Sequence, residues 1–283
     1  MQKLKQAISA NSAFCCAIPG LLWQLLFLVI PLGAIIWMSI VGPDGVTIRY
    51  FQHLMDVAHL RVLVRSIIYA LTNATLCALA AYPIAYWLAF YVKRWHSLCL
   101  FLLTLPFWIN FLLHVYSWFF VLERQGLVNM VLMKTGLISQ PLHLINSGFA
   151  IGLVMFHAYL PFMILPLYSI LEKIDRRLID AALDLGARPT KAFCSVTLPL
   201  SLSGLKTGLF LVSVMSFGEF VIPTLMGGGK TLFVGTLIWQ YIMIAQDFYQ
   251  GAAFTCLSSV VLVAVLVFVS MLLSRMVRSG GGQ

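Results

Sequence analysis

The sequence has little charge and very few acids. Of its 283 residues only 10% are charged, with nine Asp and Glu against 18 Lys and Arg, while 61% are hydrophobic. So small a polar fraction cannot cover the surface of a soluble globular protein of this length. This composition indicates a protein that lies mostly in lipid.

Alternation of polar and apolar residues, the pattern of a membrane β-barrel, is also missing. Continuous apolar runs of about 20 residues recur instead, the length that a helix needs to cross a bilayer. The predicted spans are Ala17–Val41, Val62–Val92, Leu98–Val121, Gly148–Leu171, Leu202–Leu225 and Ala252–Ser274. We therefore predict an all-α polytopic membrane protein with six transmembrane helices, forming a single domain over residues 1–283.

The basic residues are unevenly distributed between the loops. If both termini lie inside, 12 of the 18 Lys and Arg fall on the inner side. Because positive loops stay in the cytoplasm, both termini are predicted to be cytoplasmic. Lys3 and Lys5 precede a first apolar run that is too long for a cleaved signal peptide, so we expect an uncleaved first span. Topology accounts for the net charge of +9, and no nucleic-acid partner is expected.

Signals of catalysis or metal binding are sparse. The six cysteines have no zinc-site spacing, the six histidines are scattered, and neither an HExxH motif nor a nucleophile elbow is present. Gly229-Lys230-Thr231 resembles the end of a phosphate-binding loop, but Thr224 stands where that loop needs glycine. We expect no metal, no cofactor, no catalytic residue and no ATPase site.

The chain does contain a basic loop between spans four and five, at about residues 173–200. Its first half has apolar residues at helical spacing, which predicts an amphipathic helix with one buried stripe. This stripe is Ile174, Leu178, Ala182 and Leu185. Gly186 suits a left-handed helix end, and Pro189 suits the first turn of a second helix. The predicted unit is two helices joined by a bend.

The spacing in this loop resembles a family signature. Asp180-Ala181-Ala182, three residues, Gly186, nine residues and then Val196-x-Leu198-Pro199 is similar to the cytoplasmic motif of ABC importer permeases. In that family the loop is a coupling helix that docks into a cleft on the ATPase subunit. The resemblance implies ATPase-coupling roles for Asp180, Ala181, Ala182, Asp184, Gly186 and Ala187. A solvated amphipathic connector is the other interpretation of the loop.

The resemblance extends beyond this loop. Residues 105–110, 160–187 and 216–238 are similar to the permeases of spermidine/putrescine importers. This implies a subunit of the bacterial cytoplasmic (inner) membrane that moves polyamines inwards by alternating access. Its partners would be two ATP-binding cassette subunits, a second related permease and an extracytoplasmic solute-binding protein. One departure is Arg188, where a capping Ser is common, so the second coupling helix is expected to begin less firmly.

Other functions stay open. An importer of another small solute would share all these features. A secondary transporter would need ion-coupling acids and an internal repeat, neither of which is apparent. A structural membrane protein would leave the pattern between Asp180 and Pro199 unexplained.

Polar residues inside spans are candidates for a substrate pathway, since they are costly in lipid. Glu219 is the one acid placed well inside a span, where it either attracts substrate or pairs with a neighbouring helix. Span three carries a polar stripe of Asn110, His114 and Ser117, with aromatic neighbours Trp108 and Tyr116. The pathway candidates are therefore Glu219, Trp108, Asn110, His114 and Tyr116.

Span two carries small residues at intervals of three and four, which predicts close helix packing. These residues are Ala70, Ala74, Ala78, Ala81, Ala85 and Ala89.

Overall fold

The structure is a computed structural model that describes residues 18–42, 45–47, 49–92, 94–229 and 231–280. The predictions that concern Lys3, Lys5 and Lys230 lie outside these residues. Side chains are described as far as Arg275.

Helices make up most of the described chain. They are α1 (Ile18–Ile40), α2 (Arg49–Leu54), α3 (Val57–Phe90), α4 (His96–Thr104), α5 (Phe111–Leu122), α6 (Leu127–Lys134), α7 (Gly148–Leu171), α8 (Arg176–Asp184), α9 (Pro189–Gly218), α10 (Val221–Met226), α11 (Val234–Ile244) and α12 (Phe248–Gly280). After α1 a short antiparallel pair follows, in which β1 (Val41–Gly42) bonds to β2 (Gly45–Val46).

Within the described residues, five helices are long and apolar enough to cross a membrane: α1, α3, α7, α9 and α12. A sixth span is present if the bent pair His96–Trp108 and Phe111–Lys134 counts as one. The prediction of an all-α polytopic membrane protein is thereby confirmed.

The chain divides into two compact units. One contains residues 1–56 and 238–259, so far as they are described, and the other contains residues 57–237 and 260 onwards. In the first unit the rings of Tyr50 and Tyr249 stack with their centroids 5.8 Å apart. The candidate sites described below all lie in the second unit.

The core of the second unit forms where α3, α7 and α9 pack together. Ala70, Ala74, Ala81 and Ala85 are fully buried along one face of α3. Because lipid tails are as apolar as leucine, helices associate in a membrane through close packing, and small residues permit it. The predicted alanine face is thus a packing surface within the chain.

Two glycines of α9 allow its close approach to α7. A Cβ added at Gly204 would lie 2.8 Å from the carbonyl oxygen of Pro166. A Cβ at Gly208 would lie 3.3 Å from both Cα and the carbonyl oxygen of Met163. At Gly208 the Met163 sulfur lies closer still, but because backbone atoms of α7 also stand within 3.3 Å at both positions, larger side chains there would push the two helices apart.

Hydrogen bonds from α3 connect these helices further. The Asn73 side chain donates to Ser216 Oγ at 2.8 Å, and the hydroxyls of Tyr82 and Ser201 lie 2.6 Å apart. Bonds of this kind between membrane helices contribute about 0.6 kcal/mol each on average. Close packing of small residues is therefore the main source of cohesion here, and the polar pairs fix the register.

Span three differs from the continuous helix predicted over Leu98–Val121. After α4 the chain forms a 3₁₀ turn over Leu105–Trp108 and then restarts as α5, with a bend of 91° between the two halves. Pro106 lacks the N–H that would continue the helix, and the Asn110 side chain accepts the Leu112 N–H at 2.9 Å. Proline and an N-cap together break the span.

Span five also differs in its bounds. It was predicted over Leu202–Leu225, whereas α9 begins at Pro189 and ends at Gly218. The second helix of the loop is therefore the start of the span itself. Glu219 adopts an extended backbone conformation with ψ 131°, and a separate helix, α10, follows. Glu219 thus lies at a break between helices and not within one.

Candidate functional site

A cavity of about 520 Å³ lies beside the broken third span. It is bounded by the segment around Pro106, by α5, by α7 and by the end of α9. Phe107, Phe111 and Phe162 supply aromatic walls, and the polar groups that face it come from His114, Tyr159 and Glu219. An apolar cavity of this size with a few converging polar groups is typical of a small-molecule site.

The Glu219 carboxylate is buried and held by three donors. Its Oε1 accepts the backbone N–H of Val221 at 2.8 Å and of Ile222 at 3.3 Å, so it caps the start of α10. Its Oε2 accepts the hydroxyl of Tyr159 from α7. A carboxylate offers about four acceptor positions, and the described residues supply three donors, so it can accept a further one.

A second polar group lies next to this cavity. His114 Nε2 and His157 Nδ1 are 3.0 Å apart, and the two rings stack at 4.9 Å. The indole N–H of Trp118 points to the same His157 nitrogen at 3.4 Å. One of the two ring nitrogens donates to the other, and this bond holds the His114 ring at the cavity wall.

The structure separates the other predicted pathway residues from this cavity. Trp108 is 82% exposed, and Tyr116 is also exposed. Asn110 uses its side-chain oxygen as the N-cap of α5. None of these three lines the cavity, whereas His114 and Glu219 do. Because the helix breaks at Asn110, the expected polar stripe is interrupted. Asn110 caps α5, and the rest of the stripe lies within α5.

The predicted coupling helix is α8, and both of its ends are defined by local bonds. At its start, Asp175 Oδ1 accepts the N–H of Arg177 at 3.0 Å. At its end, Gly186 has φ +84° and the Ala187 N–H donates to the carbonyl of Ala182 at 3.1 Å. This is the left-handed helix end that the sequence predicted. Arg188 then precedes α9 without a side-chain cap, as expected.

Arg176 bonds helix α8 to the end of α3. The Arg176 guanidinium donates to the carbonyl of Phe90 at the end of α3 and lies 5.5 Å from the ring centroids of Phe90 and Tyr91. The helix also packs against the π-helical turn Phe193–Thr197 within α9. Helix α8 thus contacts two of the three core helices.

The apolar stripe of α8 is not buried as predicted. Leu178 is 51% and Leu185 is 89% exposed, and only Ile174 and Ala182 are partly covered. Asp180, Ala181, Asp184 and Gly186 are exposed on the same short segment. The helix therefore presents leucines, small residues and acids together on a surface that the described chain leaves uncovered.

Sequence reasoning missed two residues of the site. Tyr159 lies 60 positions before its partner Glu219, and His157 lies 43 positions after His114. Neither forms a motif with its partner, because only the packing of α7 against α9 and α5 brings them together. No short-range signal in the sequence could have found them.

This arrangement of spans, with a helical turn exposed between two of them, is that of a membrane transport subunit. The chain belongs to the family described as the binding-protein-dependent transport system inner membrane component, which matches residues 81–279. It is a multi-pass transport subunit of the inner membrane.

Two relatives match most of the chain. The spermidine/putrescine transport system permease protein PotB of Haemophilus influenzae is 34% identical over 254 residues, covering 87% of this chain and 88% of that protein. PotB of Escherichia coli is 32% identical over 263 residues, covering 90% and 95%. A bacterial ABC transporter that imports the acidic polysaccharide alginate has the same fold, with TM-score 0.72 at 17% identity over 99% of both chains.

Proposed function

We propose that this chain is a membrane subunit of an ATP-driven importer that moves polyamines into the cytoplasm. The observation that carries the proposal is its similarity, over nearly the whole chain, to two spermidine/putrescine permeases. Residues 1–283 would act as one permease domain, with residues 173–200 as its coupling loop.

The cavity chemistry is consistent with an amine substrate. A passing ammonium group would use the remaining acceptor position of Glu219, and the phenylalanine rings would offer their negative faces to the methylene-linked cation. Low screening inside the membrane strengthens the attraction to the carboxylate. His114, held by His157, would border the same route. Trp108, Asn110 and Tyr116 stay candidates for contacts in another state of the transport cycle.

The exposed face of α8 is proposed as the contact with a separate ATPase subunit. Asp180, Asp184 and the small residues Ala181, Ala182, Gly186 and Ala187 would fit a cleft, with the leucines covered on docking. Closure of the ATPase pair would move α8. Because α8 is bonded to the end of α3 and packs on α9, the movement would reach the cavity.

The complete assembly is proposed to contain two ATPase copies, a second related permease and an extracytoplasmic solute-binding protein. A relative in fold, TM-score 0.71 at 15% identity, is a bacterial alginate transporter in complex with a periplasmic protein loaded with an alginate pentasaccharide. Copurification of this chain with two ATPase copies, a second permease and a solute-binding protein tests the proposed assembly.

Both termini are proposed to be cytoplasmic. Reporter fusions after Arg94, Lys191 and Arg278 should then report the cytoplasm, and fusions near Pro43 and Lys134 the outside. A cytoplasmic signal at Lys134 would contradict the six-span topology.

Uptake by the reconstituted assembly tests the substrate. Proteoliposomes that contain the permease with its partners should accumulate labelled spermidine or putrescine in an ATP-dependent manner. If another solute accumulates and neither polyamine competes with it, the chain still belongs to an importer, but its substrate is not a polyamine. Uptake driven by an ion gradient without ATP would indicate a secondary transporter instead.

One relative is named for a different solute. The molybdenum transport system permease protein ModB of Escherichia coli is 30% identical over 132 residues, which cover 44% of this chain. The buried carboxylate of Glu219 at the cavity argues against an anionic solute, because it would repel one.

A further inference from the structure

A second cavity, of about 590 Å³, lies between α3, α9 and α12, away from the Glu219 cavity. We call it the α3–α9–α12 groove. Its lining is mostly leucine, alanine, valine and phenylalanine, and all of it comes from helices that are apolar and long enough to span a membrane. Leu79 and Phe210 of its lining are exposed, so the groove opens towards the surroundings of the helices.

One positively charged side chain, that of Lys206, lines this apolar groove. The Lys206 ammonium of α9 donates to the hydroxyl of Ser274 on α12, and Ser274 in turn donates to the carbonyl of Ser270 at 2.8 Å. Among the described residues no carboxylate lies within 4.0 Å of Lys206. An ammonium has three N–H donors, so among the described residues two are left without a hydrogen-bond acceptor.

The depth of this charge in the membrane follows from Ser274. Ser274 is the last residue before Arg275, which is the first charged residue of α12 and ends its candidate span. Lysine side chains in spans extend towards the headgroup region. The Lys206 ammonium and the exposed Arg275 thus mark one membrane surface, and the apolar part of the groove extends from there into the bilayer.

We propose that the groove binds an anionic phospholipid, with its phosphate at Lys206 and an acyl chain along the leucines of α3 and α9. Basic pockets between membrane helices attract acidic headgroups, and the lining provides the apolar surface for the chain. The same ammonium repels polyamines, so the groove is not a second route for the proposed substrate. The inference does not depend on which solute is transported.

Lipid analysis of the purified transporter tests the proposal. Lys206→Gln should lower the amount of anionic phospholipid that copurifies per permease roughly fivefold. This is the change in affinity expected when one basic residue near an acidic leaflet is lost. Lys134→Gln, at an exposed lysine in the last turn of α6, is the matched control and should leave the lipid content unchanged. Equal lipid content in Lys206→Gln and the unaltered transporter would overturn the site.

Filling the groove is a test that leaves the lysine in place. Ser270→Phe places a ring among the lining residues and should also displace lipid. Val267→Phe adds the same ring at a neighbouring exposed position of α12 that does not line the groove, and should have no effect. Loss of a partner permease from Ser270→Phe at unchanged lipid content would mean that the groove is a protein interface, and would overturn the proposal.

A measurement in defined bilayers covers the case in which a variant assembles poorly. In nanodiscs of palmitoyl-oleoyl phosphatidylglycerol the unaltered transporter should unfold at a higher temperature than in phosphatidylcholine, because bound lipid stabilises the folded state. Lys206→Arg should keep this difference, and Lys206→Gln should lose most of it. No difference in the unaltered transporter, or one that persists in full in Lys206→Gln, would contradict the proposal.

Discussion

The turn formed by α8 and the start of α9, which we propose as the contact with the ATPase, and the cavity at Glu219 are built in opposite ways. The turn is made from residues close in sequence, between Asp175 and Thr197, whereas the cavity combines residues from Pro106 to Glu219. The turn is exposed, with Leu185 at 89%, and the carboxylate of the cavity is 9% exposed. Bonds within one segment fix the shape of the turn, and helix packing fixes that of the cavity. Substitutions in the two regions should therefore fail in different ways.

The largest effect is expected at Gly186 in the turn. No atom lies within 4 Å of a Cβ placed there, so the isolated chain has room for the side chain of Gly186→Trp at a cost in backbone strain, whereas the indole would obstruct a docked ATPase. We expect loss of uptake with normal amounts of the permease in the membrane. The measurement is ATP-dependent uptake together with copurification of the ATPase.

Gly186→Ala distinguishes the effect of backbone strain from that of blocking the docked ATPase. The backbone at φ +84° costs alanine roughly 1 kcal/mol but adds almost no bulk. Most uptake should therefore remain. Normal uptake in Gly186→Trp would mean that the loop is a solvated connector without a docking role.

The next effect is expected in the packed core that shapes the cavity. Gly208→Leu should separate α9 from α7 and destabilise the fold by about 1–3 kcal/mol, because the added atoms meet the backbone of Met163. Thermal unfolding of the purified protein measures it. Gly152→Leu, on α7 where a Cβ meets nothing within 4 Å, is the control. Equal unfolding temperatures in the two variants would contradict close packing at Gly208.

A smaller effect is expected from removing the charge in the cavity. In Glu219→Gln the amide oxygen can still accept the two N–H groups that start α10, and the amide nitrogen can donate to Tyr159. The fold should therefore be retained while the attraction for an amine falls. We expect uptake per assembled transporter to slow roughly tenfold, or ~1.4 kcal/mol.

The control for this variant is Glu123→Gln at an exposed carboxylate after α5, which should transport normally. A lower amount of assembled complex at an unaltered rate would assign Glu219 a purely structural role. An unaltered rate at normal assembly would exclude both roles.

The smallest effect is expected at the start of α8. Asp175→Ala removes the side chain that accepts the Arg177 N–H, at a cost of about 1 kcal/mol to the helix. Amide hydrogen exchange in residues 176–184 should quicken roughly fivefold, with little change in uptake. Asp175→Asn keeps the cap and should exchange as the unaltered protein does. Identical exchange in the alanine variant would mean that packing on α9 alone holds α8.

The sequence by itself determined the features that depend on short-range chemistry. Apolar run length predicted the spans, small-residue spacing predicted the buried face of α3, and Gly186 predicted the left-handed end of α8. Each rests on residues within a few turns of one another. A single chain cannot show what covers an exposed surface, and for that reason the stripe at Leu178 and Leu185 was wrongly expected to be buried.

Only the tertiary structure decided the contents of the cavity. It bent span three at Pro106 and Asn110, ended α9 before Glu219, and placed Tyr159 and His157 against partners distant in sequence. Hydrophobic periodicity gives each helix a face but does not specify which helix will meet it. The carboxylate of Glu219 meets its hydroxyl partner, and Lys206 meets Ser274, only because α7, α9 and α12 pack where they do.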